Sequence, residues 1–379
     1  MKAYNILISY IIFCLLLLSC DNDDYKYSEE HSLELFPSEI YCLPNEDYNI
    51  YLDEIIPCID YSYNNPNYEQ TYNYIVTSVS DVNRNMWEYE NLTLKVSPSR
   101  QDVGSYKFKV STYDNQGNLI CDRFFHINVI DPTYINENNK RNILLLGDSW
   151  TEINTNQGEG YVHYINECFK KDNIIIPTFF GTNTTYSKIR HEGRGGYMAK
   201  TWCNPPSKDR PNPLWNNETG EIDFTNYRTN ICKSEKTFDL VNIQLGVNEC
   251  TRTSKCSSSE IKEHIDAFIK LTDEILNDSP KCKVLIQLCG LDDKDMNAFN
   301  DLDNGMFKKD DYQSNMYRLR EELYRRISKR SDFNISVFWG QAVIGLNRNN
   351  YINAIHPNTE GYKEMAYMAV PQMIHLLSN

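Results

Sequence analysis

The chain has 379 residues, and 52 acidic side chains against 38 basic ones give it a formal net charge of −14. Nucleic acid is therefore not an expected partner, because binding it normally requires a basic face. Glycine and proline are modest and aromatic residues plentiful, a composition of packed globular domains and not of a disordered or collagen-like chain. The length exceeds one ordinary domain and suits two behind a leader.

Lys2 gives a minimal positive start, and Ile6 to Leu18 form an apolar run too short to span a bilayer as a stable helix. The run ends in Leu17-Leu18-Ser19-Cys20, which resembles a bacterial lipoprotein lipobox; the alternative is an ordinary signal peptide with a chance cysteine. The resemblance implies cleavage before Cys20 and acylation of its thiol and new amino group. Acyl chains at about 0.8 kcal/mol per buried CH₂ then anchor the protein to a membrane. Asp21-Asn22-Asp23-Asp24 resembles the acidic export tag of Bacteroidetes surface lipoproteins. In enteric bacteria an Asp at this place goes with inner-membrane retention, so the leaflet stays open. The expected location is exported and lipid-anchored, at the outer membrane or cell surface. Of twelve cysteines, ten remain once Cys14 leaves with the leader and Cys20 is acylated. No Cys-x-x-Cys occurs, and the pairs Cys121–His126 and His163–Cys168 lack a matching second pair, so no metal site is expected. Cys282 and Cys289 read as small core residues of an apolar strand. Cys250 and Cys256 flank a short loop, and their pairing stays open.

Residues 21 to 33 are polar and acidic, a spacer. From 34 to 131 short alternating runs such as Asn91 to Val96, Tyr106 to Val110 and Phe125 to Val129 are broken by turn residues, which predicts strands. Asp114 to Asn118 reads as a hairpin turn. Asp102-Val103-Gly104-Ser105-Tyr106 resembles the tyrosine corner of immunoglobulin-like sandwiches, with Phe108 where an antibody domain has its second cysteine. A small all-β immunoglobulin-like sandwich is expected, either a spacer or a carbohydrate-binding or docking module.

After a polar stretch at 136 to 140 the pattern changes. Continuous apolar runs (Ile143 to Leu146, Ile174 to Phe180, Leu240 to Leu245, Val284 to Leu288, Ile335 to Trp339) suit strands buried on both faces of a parallel sheet. Helical segments stand between and after them, at Ser259 to Leu276, Tyr312 to Ile327 and Thr359 to Leu376. Residues 139 to 379 thus predict a three-layer α/β domain, with ligands at the carboxyl ends of the strands.

Four motifs fall at such ends. Gly147-Asp148-Ser149-Trp150 follows the first strand, where a turn into a helix can hold a hydroxyl beside free N–H groups. His191-Glu192-Gly193-Arg194-Gly195-Gly196-Tyr197 follows the second, as a glycine-rich loop open to close approach. Gly246-Val247-Asn248-Glu249 follows the third and offers an amide donor. Asn353-Ala354-Ile355-His356-Pro357-Asn358 precedes the last helix. Their order and placement resemble the four blocks of the SGNH (GDSL-type) hydrolases, whose domain is flavodoxin-like. That resemblance implies Ser149 as nucleophile and His356 as general base. It also implies an oxyanion hole from the N–H groups of Ser149 and Gly196 and the Asn248 amide. The stretch from His191 through Asn212 to Trp215 and on to Tyr227 resembles an exported Bacteroidetes subgroup with an immunoglobulin-like domain in front.

Trp150, Glu249 and Asn353 depart from the family's usual Leu, Asp and Asp. Asn353 matters most: its oxygen can orient His356 but brings no negative charge. What the resemblance implies is a serine esterase needing no cofactor, with acylated carbohydrate, above all O-acetylated, as substrate. Trp150, Arg194 and Tyr197 are candidate substrate contacts, and Trp202 and Trp215 are nearby aromatic residues. A non-catalytic carbohydrate-binding lipoprotein on the same scaffold, and a lipase or thioesterase, are the alternatives. The oligomeric state is not legible.

Overall fold

The computed structural model describes residues 37–52, 72–90, 92–131, 140–152, 159–171, 177–288, 307–330, 334–338, 351–353 and 355–378. The leader, Cys20 and the spacer at 21–33 lie outside these residues, as do Cys289 and Trp339.

The first seven strands are β1 (Glu39–Cys42), β2 (Tyr48–Tyr51), β3 (Tyr72–Ser78), β4 (Trp87–Glu90), β5 (Thr93–Val96), β6 (Gly104–Asp114) and β7 (Leu119–Val129). They form a four-stranded sheet in the order β1-β7-β6-β3 and a three-stranded one in the order β2-β5-β4. Alternation along the strands sends one set of side chains inward. Phe108 and Val110 of β6 and Leu94 and Val96 of β5 are fully buried. Phe108 stacks on Phe125 at 5.6 Å and meets the ring of Trp87, from the other sheet, edge-on at 5.2 Å. The predicted hairpin turn joins β6 to β7: Asp114 accepts the amides of Gln116 and Asn118, and Gly117 takes φ +82°.

The second unit carries β8 (Arg141–Gly147), β9 (Pro177–Phe180), β10 (Asn183–Thr184), β11 (Arg190–Gly193), β12 (Leu240–Leu245), β13 (Lys283–Leu288) and β14 (Ile335–Phe338). Their order is β10-β11-β8-β12-β13-β14, with β9 also on β8, and all pair in parallel except β10 with β11. β9 and β11 share one edge of β8, β9 along residues 141–144 and β11 at 146–147. The parallel positions thus run 2-1-3-4-5, an order whose switch point opens a crevice between the first and third strands. His191-Glu192-Gly193, expected as loop, is therefore strand. The signal of β11 was illegible because its four residues, Arg190 to Gly193, carry two charged groups and a histidine.

The helices are α1 (Ser149–Glu152), α2 (Tyr161–Lys171), α3 (Ala199–Trp202), α4 (Val247–Cys250), α5 (Ser258–Asp278), α6 (Lys309–Ser328) and α7 (Thr359–Ser378). α2 packs on α7, and α5 on α6. All six side chains of β12 are buried, so the sheet is covered on both faces, as three layers require. The first unit docks on α7 and α2: Tyr41 stacks on His375 at 4.0 Å, and Glu46 pairs with Lys171. Cys250 and Cys256 do not pair; each is a free buried thiol, Cys250 against the sulfur of Met316. Cys282 is buried just before β13, as a core residue.

Helix α1 is seated on glycine. Gly147 and Gly193 are register partners across β8 and β11. A Cβ on Gly193 would lie 2.4 Å from the Glu152 nitrogen, and one on Gly147 would lie 2.2 Å from the Thr151 hydroxyl and 2.4 Å from the Gln244 carbonyl. Gly193→Ala is expected to cost about 3 kcal/mol, because backbone must shift. Gly117→Ala, whose Cβ would meet nothing within 4 Å, should cost only the left-handed penalty of about 1 kcal/mol. Urea unfolding of the two variants checks the ranking.

Candidate active site

Strand β8 delivers its end to the crevice, and Asp148 turns the chain into α1. The Asp148 carboxylate accepts the Trp150 amide at 2.9 Å, and its carbonyl accepts the amides of Thr151 and Glu152. Asp148 is thus the N-cap, and Ser149 is the first helical residue, where backbone N–H groups have no partner within the helix. The Ser149 hydroxyl lies 3.0 Å from Nε2 of His356, 207 positions away in the chain.

His356 comes from a short closed loop. Tyr351 and Pro357 form an antiparallel bridge, the Ile352 amide donates to the His356 carbonyl at 2.8 Å, and α7 starts at Thr359. Inside that loop the Asn353 side-chain oxygen accepts the amides of Ile355 and His356 at 3.1 and 2.8 Å. These two donors identify the atom as oxygen, since the amide nitrogen could not accept them. The same oxygen is 3.2 Å from Nδ1 of His356. An oxygen there can only accept, so Nδ1 carries the proton and Nε2 presents its lone pair to Ser149. Burial holds the imidazole below its ordinary range.

Three amides near Ser149 are committed: Arg194 donates to the Gly147 carbonyl, Gly195 to the Glu152 carboxylate at 2.5 Å, and Tyr197 to the Arg194 carbonyl. The amides of Ser149 and Gly196 donate to nothing among the described residues. Gly196 has φ +75°, a left-handed conformation that a side chain disfavours. Two free N–H groups beside a serine hydroxyl make a site for a developing oxyanion.

Asn248 is less simply placed. Its amide nitrogen donates to the Tyr197 carbonyl at 3.0 Å and to the Asp148 carboxylate at 3.2 Å, which takes up both of its hydrogens. It acts here as a clamp between the first three motifs. Glu249, fully buried, accepts the amides of Ala199 at 2.7 Å and Gly246 at 3.1 Å. It thereby ties the end of β12 to the start of α3. Burial pushes its carboxyl up to about 7 and raises that of Asp148 well above the carboxylate range.

The other expected contacts are corrected by burial. Trp150 is fully buried with its ring edge-on to Tyr362 at 6.5 Å, and Tyr197 is buried with its hydroxyl donating to the Pro211 carbonyl. Neither offers a face to a ligand, because the core needs their apolar area more than the surface does. Trp202 is fully buried too, whereas Trp215 keeps partial exposure in a small hairpin. The Arg194 guanidinium is committed to Glu192 and to the Thr182 hydroxyl. Glu192, with no exposed surface, also accepts the Thr182 amide and hydroxyl and the Tyr227 hydroxyl.

Glu152 was missed. Ser149-x-x-Glu152 reads locally as a helix-capping pattern, but Asp148 holds the cap and Glu152 reaches across to Gly195. Glu192 was missed as a hub because a carboxylate in a sequence reads as surface.

In sequence, the chain matches no protein-family profile and no curated protein. Solved structures similar to it include a family 3 carbohydrate esterase from Talaromyces cellulolyticus, at 15% identity and a TM-score of 0.42, covering 62% of this chain and 98% of that one. A family 3 carbohydrate esterase from Clostridium thermocellum has 15% identity and a TM-score of 0.41, covering 64% and 100%. A carbohydrate acetylesterase from Sinorhizobium meliloti has 16% identity and a TM-score of 0.37, covering 62% and 99%. The chemistry of the site rests on its own geometry.

A carboxylate in place of the Asn353 amide favours the protonated imidazole. Asn353→Asp is therefore expected to raise the His356 pKa above its depressed value in the parent protein. An NMR titration of the His356 ring checks this, and an unmoved midpoint would place residue 353 away from Nδ1.

Proposed function

We propose that this chain is a serine esterase that removes acyl groups, above all acetyl, from carbohydrate. The observation that carries the esterase part is the Ser149 hydroxyl at 3.0 Å from an imidazole nitrogen whose partner nitrogen faces the Asn353 oxygen. Two uncommitted amides lie beside it. The carbohydrate part is supported by the sequence resemblance alone, since the aromatic faces expected to stack on sugar are mostly buried.

His356 Nε2 takes the Ser149 proton as Oγ attacks the ester carbonyl, and the oxyanion settles against the Ser149 and Gly196 amides. As the intermediate collapses, the alcohol leaves with the proton from His356. Water then attacks the acyl-serine, giving its proton to His356, and Ser149 departs protonated as the acid is released. Asn248 steadies the Asp148 turn and the Tyr197 carbonyl, and it serves the oxyanion only by giving up one of those bonds.

Asn353 sets the price of this arrangement. In a serine protease triad, Asp→Asn costs about 10⁴ in kcat through the wrong tautomer. Here the tautomer is right, because two backbone amides hold the oxygen toward the ring. What is missing is the negative charge beside the imidazolium, a deficit of about tenfold to a hundredfold. Asn353 is also the observation that favours a second reading, a binding protein on the same scaffold.

Hydrolysis of acetyl, butyryl and octanoyl model esters and of acetylated polysaccharide separates these readings. The parent protein is expected to cleave acetyl esters best, and Ser149→Ala to stay folded while losing several orders of magnitude in rate. Activity that survives in Ser149→Ala removes the assignment, and a preference for long chains turns it toward a lipase.

The rest of the chain is proposed in keeping with that role. Residues 34–131 form an immunoglobulin-like spacer in front of a flavodoxin-like hydrolase domain at 139–379, and Cys20 carries the lipid. Cys20→Ala is expected to move the protein from the membrane fraction to a soluble exported form. Fractionation and detergent partitioning check it, and an unchanged membrane fraction would indicate another anchor.

A further inference from the structure

Arg210 stands at the rim of the site, bonded to the loop that carries Gly196. It closes a tight turn with Ser207, their amides and carbonyls bonded both ways at 3.1 and 3.2 Å, and its side chain is exposed. One arm, Nη1, donates to the Gly196 carbonyl at 2.9 Å, and the guanidinium lies 5.9 Å from the centre of the Tyr197 ring. A Cβ on Gly196 would be 3.7 Å from Nη2, while a Cβ on the preceding Gly195 would be 3.9 Å from Cβ of Ser149. Adjacent Cα atoms are about 3.8 Å apart. Guanidinium and nucleophile therefore flank a single peptide step, the one that carries the free Gly196 amide.

A guanidinium has five N–H donors, and among the described residues one of Arg210's meets a protein acceptor. Arg194 and Arg228 are paired with Glu192 and Asp278. Among the described residues no ion pair includes Arg210. A chain of net charge −14 repels anions over long range, so an anionic substrate needs a local cation at the reacting centre. A fork of donors held by one arm and steadied over an aromatic ring suits a carboxylate, which accepts two parallel bonds.

We infer that Arg210 is a specificity-determining residue that holds a carboxylate carried by the ester substrate, close to the scissile carbonyl. The inference rests on the esterase reading and narrows its substrates to acidic esters. The carboxylate belongs either to the alcohol, as in an acetylated uronate, or to the acyl group, as in a hemiester of a dicarboxylic acid.

Two matched pairs test it. One is acetylated methyl glucuronoside against its neutral methyl ester, and the other is succinyl methyl glucoside against its neutral methyl ester. Wild type is expected to favour the acid in one pair by about tenfold or more in kcat/KM, less so as salt screens the charge. In Arg210→Gln the acid-to-neutral ratio should fall to about one, and Arg210→Lys should keep part of it. A preference in the first pair places the anion on the alcohol, and one in the second places it on the acyl group. A ratio near one in both pairs of wild type, or an equal loss for acid and neutral esters in Arg210→Gln, leaves Arg210 as a support for the Gly196 carbonyl and overturns the inference. If no ester is cleaved, the esterase reading is what has failed, and calorimetry with glucuronate and succinate then decides. Binding that is lost in Arg210→Gln upholds the carboxylate site, and absence of binding removes it.

Discussion

Helix α1 lies so close to β8 and β11 that the paired glycines beneath it, Gly147 and Gly193, have no room for a methyl group. The rest of the site depends on that contact. It brings the first helical residue, Ser149, level with the strand ends, where the loop from Arg194 to Tyr197 must pass. It also lets Glu152, on the same short helix, reach the Gly195 amide. With the Arg194 amide bonded to the Gly147 carbonyl and that of Tyr197 bonded inside the loop, those of Ser149 and Gly196 are left as the unspent pair among the described residues. A larger residue at either glycine would lift α1 and part the Ser149 hydroxyl and amide together from the Gly196 amide. Interiors are too densely packed to absorb such a change.

Around this seat the protein places carboxylates where water cannot reach them. Desolvating such a group costs several kcal/mol unless hydrogen bonds replace the lost solvent. Glu192 receives donors from Thr182, Arg194 and Tyr227, Glu249 receives two backbone amides, and Asp148 receives Trp150 and Asn248. Each of these contacts crosses from one strand-end segment to another or closes a turn. Buried acids thus act as staples for irregular backbone, which otherwise has no regular hydrogen-bond ladder. Most of their bonds are to main-chain or fixed groups, which explains how an acidic chain tolerates them.

The imidazole is oriented without an acid. Asn353 accepts two amides of its own loop as well as facing Nδ1, so the loop backbone holds a neutral oxygen against the ring. Orientation and charge, which one aspartate supplies together in a triad, are separated here. The loop provides the first, and burial leaves His356 readily deprotonated. In the proposed mechanism, a base that is neutral over a wide pH range would accept the serine proton at the expense of a less stabilised imidazolium.

Much of this was legible in the amino-acid sequence. The continuous apolar runs marked the buried strands, and Leu240 to Leu245 was read to the residue, because a strand covered on both faces needs no alternation. Helices read as Ser259 to Leu276 and Tyr312 to Ile327 extend by a few residues at their ends, where propensity is weakest and capping decides. The four motifs named Ser149, Gly196, Asn248, Asn353 and His356, since residue type and place at a strand end are local properties. The sequence could not show that β11 runs through a histidine and a buried glutamate, because the partners that make them tolerable come from Thr182 and Tyr227. Nor could it show that Trp150 and Tyr197 face the core, or that Arg210 lies against Gly196. What the sequence by itself determined is the set of groups and the strands that present them. Only the tertiary structure decided which donors are already spent and which remain free, because a hydrogen bond is allotted by distance and direction between residues far apart in the chain.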